Sequence, residues 1–153
     1  MSLASLLKSD QAFHLTQAAT AGLGAAVAEL AGEQPTTVAR RVRGSRCRTI
    51  DAFFSELGAA LQFPAYFGEN WAALSDVLSD LDWMPGDAYL FVVEDAELLL
   101  ADEPETLALA LRIFAESAAE APVPYLFLLQ APAQGRVVEA LTANGTSFSP
   151  FVL

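Results

Sequence analysis

The chain is poor in the groups that do covalent chemistry. Among 153 residues there is one cysteine, Cys47, and one histidine, His14. A single cysteine excludes an intramolecular disulfide, and Cys47 reads as a small, inert residue. His14 has no partner for acid–base work and reads as structural or exposed. No Walker A sequence, GxGxxG, HExxH, GxSxG or cysteine pair is present, so phosphate cradling, metal binding and activated nucleophiles lack their usual carriers. Apolar runs of the roughly 18 residues that span a bilayer are absent too, because charged or turn residues interrupt every one. The opening MSLASLLKSD has neither a basic start nor a long apolar stretch, so no secretory signal is expected, and a cytoplasmic setting follows. Cations are scarce: eight Lys and Arg face nineteen Asp and Glu, a net charge of −11. That balance argues against a nucleic-acid backbone as direct partner and for a basic protein. Nothing calls for a cofactor or a metal, and no membrane partner is expected. Carboxylate-only catalysis would need one designated pair flanking a cleft, and the scattered acids single none out, so no enzyme is expected.

What is present is apolar and ordered. Hydrophobic residues make up 54% of the chain, enough for one good core, and no linker or repeat divides it, so a single domain over residues 1–153 is expected. TTVARRVRG alternates Val38 and Val42 with arginines and closes at Gly44, which predicts a strand. RTIDAFFSELGAALQFP repeats Ile50, Phe53, Phe54, Leu57 and Leu61 at helical spacing, with Thr49 as N-cap and Pro64 as stop. AYLFVVE and VPYLFLLQ are continuous apolar runs of strand length, suited to strands buried on both faces of a parallel sheet. Between them EPETLALALRIFAESAAE reads as a helix, Pro104 in its first turn. AFHLTQ is a further short strand and Ala18 to Ala31 a helix, weakened by Gly22 and Gly24. AQGRVVEALTANG predicts a closing helix stopped at Asn144-Gly145, after which SFSPFVL returns to the sheet. The expected class is α/β: a small, mainly parallel β-sheet packed with α-helices in layers.

Charge is uneven along this frame. Five of the eight basic residues, Arg40, Arg41, Arg43, Arg46 and Arg48, sit in ARRVRGSRCR, while residues 49–130 hold fifteen acids against Arg112 alone. The arginine run reads as solvated or paired with neighbouring acids.

One stretch stands out. In FPAYFGENWAALSDVL, a proline, two aromatics and a Gly-Glu-Asn turn lead into a helix that carries one carboxylate among apolar residues. With Asn70 as N-cap and Trp71 as first helical residue, Trp71, Leu74, Val77, Leu78 and Leu81 share the core face. Ala72, Asp76 and Ser79 fall opposite, so Asp76 stands sterically open. It is either an ordinary solvated carboxylate or one positioned to enter a partner. Tyr66 either caps the core or meets a partly wet interface, whereas Phe67 reads as core. Gly68 is expected to supply a backbone angle that other residues resist. Glu116, opposite the Leu107, Leu111 and Phe114 face, is exposed and within reach of Arg112 at i, i+4.

The pattern P-x-Y-[FY]-G-x-N-x-x-A-L-x-D, followed by a buried strand, a helix with IFAESAAE and the strand VPYLFLLQ, resembles the barstar family of intracellular ribonuclease inhibitors over about residues 38–130. The resemblance implies a barstar-like fold with terminal extensions and an inhibitor of a basic ribonuclease, of antitoxin or immunity type. It also implies that the aspartate matched by Asp76 stands in for substrate phosphate in the nuclease. Tyr66, Gly68, Asn70 and Ala72 match positions in or beside the inhibitory loop and helix, and Glu116 matches an acidic contact on the next helix. The sequence departs from the family at two positions: Ala72 replaces a second interfacial aspartate, and Ser75 a tryptophan. The other reading is an interaction module of this fold without nuclease inhibition.

Overall fold

The computed structural model describes residues 2–153; Met1, first residue of the expected domain, lies outside them. A short helix α1 (Leu3–Leu6) leads to strand β1 (Phe13–Thr16), helix α2 (Thr20–Glu33) and strand β2 (Thr37–Arg43). Helices α3 (Ile50–Leu61) and α4 (Trp71–Ser79) follow, then β3 (Ala88–Glu94), α5 (Leu107–Glu120), β4 (Tyr125–Gln130), α6 (Arg136–Ala143) and the two-residue β5 (Ser149–Pro150). The expected α/β class holds, and the sheet is wholly parallel, in the order β2-β3-β4-β1-β5.

Strands β3 and β4 are apolar up to their last residues, Glu94 and Gln130, because both their faces are covered. On one face Phe13, Phe91, Phe127, Val93 and Leu129 pack against Phe53, Leu57, Leu74, Leu111, Phe114 and Leu141 of α3 to α6. On the other, Leu90, Val92, Leu126 and Leu128 meet Leu3, Leu6, Leu23, Leu30 and Phe151. A stack of rings runs through the first layer, with Phe114 and Phe127 centroids 4.5 Å apart and Phe13 and Phe127 5.3 Å apart. Each such side chain removed from water contributes about 1.5–3 kcal/mol, so the two apolar layers outweigh any local propensity.

That explains why α2 forms despite Gly22, Gly24 and Gly32. Leu23, Ala26 and Leu30 bury one side of the helix, and Gly24 makes room for a neighbour: a Cβ there would lie 3.0 Å from the Arg41 guanidinium. The tail does return to the sheet, pairing Ser149 and Pro150 with His14 and Leu15 and burying Phe151. His14 is buried on β1, its Nε2 3.2 Å from the Gln11 carbonyl. Pro104 opens a 3₁₀ turn (Pro104–Thr106) ahead of α5, and β4 starts at Tyr125, just after Pro124, whose carbonyl accepts the Tyr89 amide. Among the described residues, no helix is long and apolar enough to cross a membrane.

Candidate functional site

The loop–helix element stands on an aromatic floor. Thr49 Oγ1 accepts the Ala52 amide at 3.2 Å and starts α3, and Gln62, in the left-handed region at φ 57°, ends it. The chain then crosses Phe54, Phe63, Phe67, Trp71 and Trp83. Phe63 and Phe67 meet edge-on at 4.7 Å, Phe54 and Trp71 at 5.0 Å, Phe63 and Trp83 at 5.7 Å. Phe67 and Trp71 therefore pack against the core, Trp71 as its helical spacing predicted. Tyr66 does not: it is 72% exposed, whereas Phe63 and Phe67 on either side of it are partly buried.

Asn70 is the N-cap. Its Oδ1 accepts the Ala73 amide at 2.8 Å while its Nδ2 donates to the Gly68 carbonyl at 3.1 Å, so one side chain locks both turn and helix. Gly68 does not supply the unusual angle expected of it. The left-handed residue is Glu69, φ 49°, a position that costs a non-glycine residue about 1–2 kcal/mol. Gly68 instead allows close approach, since a Cβ there would sit 3.2 Å from Asn70 Nδ2.

Helix α4 buries Leu74, Val77 and Leu78 and ends at Ser79, two residues short of Leu81, which packs on the core from the following loop. The buried Tyr125 hydroxyl donates to the Leu78 carbonyl at 2.9 Å and pins the last turn. On the outer face, Ala72 and Asp76 are exposed. Ser79 lies 3.4 Å from the Ser117 hydroxyl of α5, and this contact sets the two helices side by side. Glu116 is exposed one residue earlier on α5, its Oε1 3.8 Å from Arg112 Nε.

Tyr66, Asp76, Val77, Ser79 and Asp80 line an open notch of about 400 Å³. The structure thus brings Tyr66 and Asp76 together, places Glu116 on the adjoining helix outside the notch, and leaves Ala72 a turn away from it. Asp80 was missed by sequence reasoning. Its spacing of four from Asp76 was the available signal, since residues four apart share a helix face. Its amide donates to the Asp76 carbonyl at 3.0 Å, holding the two acids on consecutive turns. Among the described residues neither acid has a cation partner; the four ion pairs lie elsewhere.

Three of those pairs engage three of the five arginines of the run. Arg41 meets Glu94, Arg43 meets Glu56, and Arg48 meets Asp102. Glu56 is buried, which alone would raise its carboxyl, yet the bonds and charge of Arg43 and the charge of Arg46 hold it below its ordinary value. Burial pushes the Cys47 thiol up to about 12, as suits an inert residue. Among the described residues no three His, Cys, Asp or Glu side chains converge as a metal site. Two carboxylates without a cation partner among the described residues, beside an exposed phenol, can bind a cation.

Known structures share the architecture. The chain is similar to a chain of the Drosophila ORC bound to AT-rich DNA and Cdc6, with 15% identity, TM-score 0.56, and 97% of this chain and 53% of that one covered. It is similar to Cdc6p from Pyrobaculum aerophilum (17% identity, TM-score 0.57, 97% and 42% covered). It is also similar to the ADP form of Aeropyrum pernix ORC2 (14% identity, TM-score 0.58, 92% and 42% covered). At such identities the likeness is one of fold, and the chain spans only 42–53% of the length of those solved chains. These matches correct the expectation of a ribonuclease inhibitor. The fold extends well beyond nuclease inhibitors, to ORC and Cdc6 proteins, so it cannot stand for that activity, and the antitoxin role falls with it. The departure at Ala72, where the resembled family carries a second aspartate, agrees with this. No curated protein sequence matches the chain. The model of the family described as Barstar (barnase inhibitor) matches residues 37–130, from the start of β2 to the end of β4 and across the whole loop–helix element, and on that match the chain belongs to the barstar family.

Proposed function

We propose that the chain is a protein-interaction module without enzymatic activity, which receives a basic surface of a partner protein at the face around Asp76. One observation carries this reading: Asp76 and Asp80 are exposed, without a cation partner among the described residues and one helical turn apart beside the exposed Tyr66, on a helix anchored independently by Asn70, Tyr125 and three buried apolar side chains. A cationic side chain entering the notch would find two carboxylates and the face of an aromatic ring, which together favour a guanidinium or ammonium group. Net charge of −11 supports steering of a basic protein and opposes a nucleic-acid partner. The dense aromatic floor supports the same reading, because a rigid mount reduces the ordering cost of association.

The test is retention of soluble proteins on the immobilised chain and on Asp76→Ala in parallel, with salt elution. A basic protein held by the first and lost by the second is the expected result. Its measured affinity should fall by about 2–5 kcal/mol in Asp76→Ala, the usual cost of truncating one side of a desolvated charge pair. The thermal midpoint should barely move, since surface substitutions usually change stability by about 0.5 kcal/mol or less. Equal retention by both proteins would refute the assignment of the site.

A further inference from the structure

A second surface lies on the far edge of the sheet. Strand β2 is an edge strand of seven residues, in continuous register with β3 from Thr37↔Ala88 to Arg43↔Glu94. The opposite edge, β5, is two residues long and contains a proline, which protects it from further pairing. The Thr36 carbonyl faces β3, accepting the Asp87 amide. By alternation the backbone groups of Thr37, Ala39, Arg41 and Arg43 then point outward. Some of these are already occupied. The Thr37 amide donates to the Gln34 carbonyl, the Arg43 amide to Glu56, and the Arg43 carbonyl accepts from Cys47 Sγ. The Ala39 carbonyl is covered only by the Arg40 guanidinium next to it. The Ala39 amide and both backbone groups of Arg41 remain without a partner among the described residues.

The same edge holds the chain's one concentration of positive charge. Arg40 has no acidic partner and Arg46 no ion pair among the described residues, while Arg41, Arg43 and Arg48 keep side chains 40%, 56% and 48% exposed beyond their single acids. We infer that the outer edge of β2 receives a short extended acidic segment of a partner protein as an added strand, hydrogen-bonded at Ala39 and Arg41 and flanked by guanidinium groups on both faces. Added-strand recognition draws affinity from main-chain bonds and specificity from alternate side chains. The alternation of β2 puts Arg40 on the face of Val38 and Val42 and Arg41 on the other, so acids on either face of the guest meet a cation. A second copy of this chain is a poor guest, because pairing β2 with itself sets arginine against arginine. An oligonucleotide could meet the charges but has no peptide ladder to offer the strand.

The experiment uses the full chain and a labelled octapeptide of alternating Glu and Val, with a Lys-Val counterpart, a backbone N-methylated Glu-Val peptide and an eight-nucleotide single strand as controls. The Glu-Val peptide should bind, and its binding should slow amide exchange at Ala39 and Arg41 by about tenfold or more. Joint Arg40→Gln and Arg46→Gln substitution, both at the surface, should weaken it roughly fivefold, the yield of two half-exposed ion pairs. The methylated and Lys-Val peptides should not bind. Absence of Glu-Val binding, binding without protection of those two amides, or equal binding of the oligonucleotide or of either control peptide would overturn the inference.

Discussion

Replacing Glu56 by Gln tests how the end of β2 is held to α3. The Glu56 carboxylate is buried and takes three bonds from one residue: Oε2 accepts the Arg43 amide and Nε at 3.0 Å each, and Oε1 accepts Nη2 at 3.0 Å. Gln keeps the volume, so no cavity term enters, but it sets an NH₂ donor against guanidinium donors and removes the charge. Bonds to an ionised group contribute about 1.5–3 kcal/mol. With the Arg43 side chain 56% exposed and able to recruit water, the loss belongs at the lower end, about 1.5–2 kcal/mol at pH 7. The pH dependence is the sharper part. The folded carboxyl titrates below its ordinary value of 4.5, so unfolding takes up a proton between the two values. Its contribution is complete above about 4.5 and is lost as pH falls through the lowered folded value. Below that, wild type also carries a neutral group at this position, and the two proteins should converge. Urea denaturation of both proteins across pH 7 to 3 reads the difference directly. A stability gap that stays constant over this range would show that the charge of Glu56 does not hold the strand, and the reasoning would fail.

Four further outcomes are expected. Gly44→Ala should destabilise by at least about 3 kcal/mol, because the new Cβ would lie 2.1 Å from the Asp95 carbonyl oxygen and 2.6 Å from that of Glu94, both backbone atoms. Gly32→Ala, with nothing within 4 Å of the new carbon and a helical position in α2, should stabilise by about 0.5–1 kcal/mol, so thermal melts of the pair should move in opposite directions. Tyr125→Phe leaves the Leu78 carbonyl without its buried donor and should cost about 1–2 kcal/mol, read as a lower thermal midpoint with faster amide exchange in the last turn of α4. Burial lowers the His14 imidazole below its ordinary 6.5, against the opposing pull of the Gln11 carbonyl. Its neutral form therefore contributes stability that is present above about 6.5 and lost as pH falls toward the folded value. His14→Gln should flatten the urea midpoint over that window, and unchanged slopes would discount the histidine.

Short-range order was legible in the residues themselves. The three-and-four spacing from Ile50 to Leu61, the Thr49 and Asn70 caps and the apolar runs at Ala88 and Tyr125 each act within one element, through periodicity and local hydrogen bonds that neighbours in sequence suffice to specify. The exposure of Asp76 and the packing of Trp71 on the core followed from the same helical geometry. The sequence by itself also determined the charge segregation that governs which partners are attracted.

Tertiary structure decided what depends on residues far apart in the chain. Gln130 receives the Asp95 amide on its Oε1 and donates to the Ala18 carbonyl, binding three strand ends at once. Glu97 caps α6 by accepting the Arg136 and Val137 amides, a role that no pattern around residue 136 could announce. The turn's left-handed residue is Glu69 and not Gly68 because Asn70 must reach back to the Gly68 carbonyl. Asp80 joins Asp76 in the notch because α4 stops at Ser79 and turns there. Which arginines are consumed and which stay free depends on acids about 13 to 54 residues away. Caps and periods are properties of a few consecutive residues, whereas notches, ion pairs and sheet edges exist only once the chain has brought distant residues within ångströms of one another.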